Sequence, residues 1–144
     1  MSAGSASLFG ALSIAGSAMS AESERLSAIA SNLANANSAV APGGQPYRAR
    51  EVVFQAISAD GGDNDPSAAG MEGVKVAAVV ESAAPPQTVY NPGSSFADDK
   101  GYVQMPNVSP VDEMVNMISA QQDYQANLEA FNVAKTLALR TLTI

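Results

Sequence analysis

The sequence predicts a mainly α fold with a small β-rich insert: two long antiparallel terminal helices, coiled-coil-like, flank a short-stranded β domain. Three observations carry this. Apolar residues recur at alternating steps of four and three between residues 8 and 36. A strong helix-start signal at Ser109 is followed by neither Gly nor Pro, beyond Pro110 itself, as far as Ile144. Between them lies a segment holding seven of the eight prolines and most of the glycines, with β-branched runs interspersed.

The N-terminal pattern reads Leu8, Leu12, Ala15, Met19, Glu22, Leu26, Ile29, Leu33, Ala36. A seam sustained over about four heptads marks a helix packed lengthwise on another helix. Only Glu22 interrupts it. Gly10 and Gly16 each cost about 1 kcal/mol in a helix interior, so the first half is the weaker half.

The middle contains "EVVFQAI", "GVKVAAVV" and "QTVY", runs rich in β-branched and aromatic residues that read as short strands. "SADGGDNDPSAAG" between the first two has the composition of a loop. The C-terminal helix opens on "NVSPVDEMVNMI". Ser109 is the expected N-cap and Pro110 the first helical residue, with Asp112 and Glu113 at the positive end of the dipole. Along this helix Met114, Ile118, Leu128, Phe131, Leu139 and Leu142 fall near one side, and Val133 and Leu137 on another. Met117 and Tyr124 read as interface or core. A helix apolar on more than one side expects more than one neighbour. The resulting domains are a helical core of residues 1–38 and 108–144 and a β-rich insert of residues 39–107.

Composition narrows the function. The chain has 144 residues, a formal net charge of −7, and no Cys, His or Trp. A basic footprint for nucleic acid is missing, and an anionic membrane repels this charge. The absence of His removes the commonest general base and metal ligand. Asp60, Asp63, Asn64 and Asp65 suggest calcium, but a loop starting at Asp63 would need Gly and Glu where Ala68 and Val74 stand. Asp98 and Asp99 are adjacent, and neighbouring side chains of an extended segment point apart. The expectation is therefore no enzyme, no cofactor and no metal. No Lys or Arg precedes Arg25, so a secretory signal of the usual kind is not expected.

Several stretches are together similar to one family. "SNLANANS" resembles the signature of the axial proteins of the bacterial flagellum, in which an N-terminal helix ends in a Leu-Ala-Asn run. "PGGQPYRAREVVF", "GYVQMPNV" and "EMVNMISAQQDYQAN" resemble the proximal-rod branch of that family, and the likeness covers nearly the whole chain. The resemblance implies a structural subunit of the flagellar basal-body rod. Its terminal helices would build the inner tube and its insert would face outward. Its partners would be copies of itself and other flagellar rod proteins, the basal-body ring or adaptor, and the flagellar type III export apparatus, with no nucleic acid and no direct lipid binding. It would lie in the rod within the periplasmic space, exported without a Sec signal. The rival reading is a membrane-associated or adaptor coiled-coil protein.

Under the resemblance, the expected helix–helix and subunit interface residues are Leu8, Leu12, Met19, Leu26, Ile29, Asn32, Leu33 and Asn35. On the C-terminal helix they are Met114, Ile118, Tyr124, Leu128, Phe131, Leu137, Leu139 and Leu142. Asn37 is expected to cap its helix in a left-handed conformation. Asn32 and Asn35 are expected to hydrogen-bond to helices of adjacent subunits and fix their register.

Overall fold

The structure, a computed structural model, describes residues 3–58 and 72–142. The acidic loop at 58–70 lies, after Ser58, outside the described residues. The fold mixes helix and sheet. Helix α1 (Ala3–Asn35) is followed by strands β1 (Arg50–Ser58), β2 (Glu72–Glu81), β3 (Gln87–Tyr90) and β4 (Tyr102–Met105), then helix α2 (Pro110–Leu142). Each helix has 33 residues, about 50 Å at 1.5 Å per residue.

The helix ends follow local chemistry. At the start of α2, the Ser109 Oγ accepts the Asp112 N–H at 3.3 Å and the Ser109 carbonyl accepts the Glu113 N–H at 3.0 Å, the predicted N-cap. The end of α1 departs from expectation. Asn37 is not left-handed; among the described residues only Gly43 and Gly101 have positive φ. The carbonyl of Asn35 is instead taken by Ser38, through its Oγ at 2.7 Å and its N–H at 3.1 Å. A hydroxyl three residues on does what a left-handed turn would have done.

Strands β1 and β2 form an antiparallel two-stranded sheet running from Arg50↔Glu81 to Ser58↔Glu72. The register moves from Val53↔Ala78 to Phe54↔Val76, leaving Ala77 as the extra residue of a bulge. The three predicted strands are present. The fourth, β4, is not marked by composition, since "YVQM" holds a single β-branched residue where "QTVY" holds two. It pairs antiparallel with β3, and Gln104 also bridges to Val40 beyond the end of α1.

Helix α1 occupies the middle of the molecule, with α2 and the β1–β2 hairpin both packed on it. At the hairpin the approach is close: the Val74 N–H donates to Ser17 Oγ at 3.2 Å. A Cβ on neighbouring Gly73 would stand 2.9 Å from that same hydroxyl, so a larger residue there would push the strand off the helix. The buried apolar residues are mostly small: Ala15, Ala21, Ala28 and Ala36 on α1, Ala120 and Ala134 on α2, with Ile29 among them.

The turn between β3 and β4 is closed by Asp98, whose Oδ1 accepts the N–H groups of Lys100 at 2.9 Å and Tyr102 at 2.8 Å. Gly101 follows at φ +83°, and a Cβ there would meet the Tyr90 ring at 2.9 Å and Pro92 at 3.1 Å. Gly101→Ala is expected to cost about 1–3 kcal/mol through the left-handed backbone alone, read as a lower urea midpoint. An unchanged midpoint would mean that this turn relaxes freely.

Candidate assembly surface

The periodicity of α1 marks only part of its buried surface, since Ala21, Ala28 and Asn32 are buried off that pattern. Ala15, Ile29 and Ala36 are buried, and Leu8, Leu12, Met19, Glu22, Leu26 and Leu33 are half-buried. The one charged member is neutralised locally. Glu22 lies 3.5 Å from Arg25, and the same guanidinium reaches Asp123 of α2 at 3.5 Å. A carboxylate in the seam is thus tolerated through an ion network joining both helices.

On α2 the least exposed positions are Glu113, Met117, Ala120, Tyr124, Asn127, Phe131, Ala134 and Ala138, again in steps of four and three. Ala120 is fully buried at 0 % exposure. Small residues at this stripe match the alanines of α1 and let the two backbones approach closely. Of the residues predicted from sequence, Met117, Tyr124 and Phe131 belong to this stripe. Met114, Ile118, Leu128, Leu137 and Leu139 do not. They are exposed, at 40 % to 56 %. The side chain of Leu142 lies outside the described residues.

These exposed residues are part of a larger surface. Val111, Met114, Val115, Ile118, Leu128, Val133, Leu137 and Leu139 make eight large apolar side chains open to solvent along one helix. Val111, Met114, Ile118, Leu128 and Leu139 share a second heptad stripe, turned roughly a quarter to a third of the way round α2 from the seam. Among the described elements, α2 contacts only α1. The stripe is apolar at Val111, Met114 and Ile118 and again at Leu128 and Leu139, with Gln121, Gln125, Asn132 and Lys135 between them; exposed apolar side chains grouped in this way are a candidate interaction surface.

The asparagines divide by role. Asn32 is 2 % exposed and uses all four hydrogen-bonding positions of its amide inside the chain. Its Oδ1 accepts from the Arg50 N–H at 2.8 Å and the Tyr47 hydroxyl at 2.9 Å. Its Nδ2 donates to the Arg50 carbonyl at 2.9 Å and to Glu113 Oε2 at 3.2 Å. The expected bond to an adjacent subunit is therefore replaced by an internal node, for no donor or acceptor remains to spare. The Asn35 Nδ2 turns back to the Ser31 carbonyl of its own helix at 2.8 Å, and Asn37 is exposed. Burial pushes the Tyr47 phenol above its ordinary pKa; the nearby Arg50 guanidinium opposes this, and Glu113 and Glu81 add to it. The hydroxyl accordingly stays protonated as the donor that Asn32 requires. No periodicity argument singles out Asn32 from its neighbours. The available signal is a polar residue one step beside an apolar seam, at a place where a second element must also pack.

No described helix is long and apolar enough to cross a membrane. Surface and node together define a helical assembly module carrying a β insert, and comparison with known proteins agrees. Residues 12–40 match the family of flagella basal body rod proteins, and residues 99–144 match the C-terminal region of the flagellar basal body rod FlgEFG proteins. The flagellar basal-body rod protein FlgC of Escherichia coli O6:H1 is 56 % identical over 131 residues, covering 91 % of this chain and 92 % of the relative. The protein of the same name from Salmonella typhimurium is equally similar over the same coverage. That of Yersinia enterocolitica is 50 % identical over 138 residues, covering 96 % and 98 %. The chain belongs to the FlgC family of flagellar basal-body rod proteins, and its role is a structural one in the flagellar rod.

The phase of the α2 seam can be tested on adjacent positions. Ala120→Leu forces a larger side chain into a filled site and should destabilise the chain by about 1–3 kcal/mol. Ile118→Ser, on the open stripe, should stay within about 0.5 kcal/mol of the parent. Urea titrations monitored by circular dichroism compare the two. Equal losses would place both residues in one interface.

Proposed function

We propose that the chain polymerises through its terminal helices into the tubular shaft of the proximal rod, which transmits torque and encloses the export channel. The observation that carries this is the row of large apolar side chains on α2 that the chain leaves uncovered. Neighbouring subunits bury that row, and most of the binding free energy comes from it, at about 25 cal/mol per Å² of apolar surface removed from water.

In this reading the two helices run antiparallel as a coiled-coil-like pair. Supporting this, contacts move backwards along α2 as α1 advances: Arg25 meets Asp123, whereas Asn32 meets Glu113. Residues 1–38 and 108–144 form the inner tube, and the insert at 39–107 faces outward. The family matches at 12–40 and 99–144 support this division, because they cover the helices and leave the hairpin out. The interface residues on α2 are Met114, Ile118, Leu128, Leu137, Leu139 and Leu142, joined by Val111. Those of the intrachain pair are Leu8, Leu12, Met19, Leu26, Ile29, Leu33, Tyr124 and Phe131.

The chain is a non-enzymatic subunit. Its partners are further copies, the other rod proteins, the basal-body ring or adaptor, and the type III export apparatus that delivers it. It resides in the periplasmic part of the basal body. A membrane-bound role is disfavoured by the lack of a Lys/Arg-rich helix face.

Replacing Ile118 with Asp tests the reading. The free chain should keep its helix content, because the position is exposed, while incorporation into basal bodies should fall severely once a carboxylate must be buried between subunits. Fractionation of basal bodies from a strain carrying the variant reads the outcome. Normal incorporation and motility would remove the α2 stripe from the subunit contact.

A further inference from the structure

We propose that Asn32 is a strand-mimicking clamp that couples seating of the β insert to docking of the first turns of α2. The two events then occur together or not at all. The basis is the geometry at Arg50, the first residue of β1. On the preceding residue, the Ala49 carbonyl accepts the Ser82 N–H at 2.8 Å, so that residue faces the partner strand. Strand alternation turns the N–H and C=O of Arg50 to the opposite edge. There, both are taken by the one carboxamide of Asn32, at 2.8 Å and 2.9 Å. An amide offering an acceptor and a donor side by side serves Arg50 as a third strand's peptide groups would. The two-stranded sheet, marginal by itself, is extended by one side chain of α1.

The same amide faces α2. Its second N–H goes to Glu113 in the first turn of that helix, and its oxygen also holds Tyr47. Asn32 is buried with α2 in place. If α2 closed while the insert was away, the amide oxygen would be desolvated without either of its donors. If the insert seated while α2 was away, one N–H would lose its charged acceptor. Each docking event is penalised without the other, because a buried unpaired polar group is more expensive than a paired one is favourable. Segments 15, 18 and 81 residues from Asn32 in sequence are tied through one side chain.

In the assembled rod proposed above, this clamp would join the outer insert rigidly to the inner helices, but the inference stands on the free chain and does not need assembly. Amide hydrogen exchange on the full-length monomer tests it. Glu113→Ala removes an α2 contact and no hydrogen bond of Tyr47 or Arg50, yet exchange at the Arg50 amide should rise about 3- to 10-fold, the scale of one lost hydrogen bond. Tyr47→Phe should raise exchange at the Met117 amide of α2 by a similar factor. Asn32→Asp, which keeps the shape but loses both donors and places a carboxylate against Glu113, should loosen both segments together. The β3–β4 hairpin should not respond to the first two substitutions. Unchanged exchange at the remote segment in both Glu113→Ala and Tyr47→Phe would overturn the coupling, and these two variants decide the matter even if Asn32→Asp fails to fold.

Discussion

Helix α2 and the β1–β2 hairpin both pack on α1, which must satisfy two neighbours at once. Helix α2 lies on one side and the β1–β2 hairpin on another, and the hairpin has no other support. A single helix can do this only with two adjacent buried stripes and residues small enough for both neighbours to come close. Ala15, Ala21, Ala28 and Ala36 meet that condition. Alanine gives little buried area per residue, so cohesion comes from many short-range dispersion contacts along a 33-residue helix.

Close approach brings polar groups inside, and the fold meets each with a specific partner. The Ser17 hydroxyl, which donates to the Ile14 carbonyl, receives the Val74 N–H from β2. Glu22 is matched by Arg25, which also reaches α2. Asn32 saturates its amide across three segments. These contacts lie along the two interfaces of α1, and an apolar residue at Ser17 or Asn32 would leave the Val74 N–H or both Arg50 backbone groups unpaired. They add direction to packing that alanine alone leaves smooth: a hydrogen-bonded register cannot slide by a turn without leaving groups unpaired.

The economy of α2 is different. One stripe, with Met117, Tyr124 and Phe131 beside its alanines, packs within the chain, while Met114, Ile118, Leu128 and Leu139 face out. The membership of the FlgC family agrees with this distribution. Relatives align along nearly the whole chain, while the broader rod family models match residues 12–40 and 99–144.

The sequence alone determined the helices, their limits at Ser109 and near Asn35, and three of the four strands. Local periodicity and capping chemistry are sufficient for these, because each is decided within a few turns of chain. The phase of α2 was decided by tertiary structure. Two stripes with the same heptad spacing run along that helix, and the one that packs on α1 is lined largely by alanine, whereas the other carries Val111, Met114, Ile118, Leu128 and Leu139. Preference went to Ala120, Ala134 and Ala138 because an alanine-lined partner favours close approach over bulk. Strand β4 was likewise settled by pairing, since "YVQM" holds a single β-branched residue where "QTVY" holds two. Asn32 is the plainest case: its side chain reads as one of three similar amides, and only the arrival of Tyr47, Arg50 and Glu113 from distant parts of the chain distinguishes it from Asn35 and Asn37.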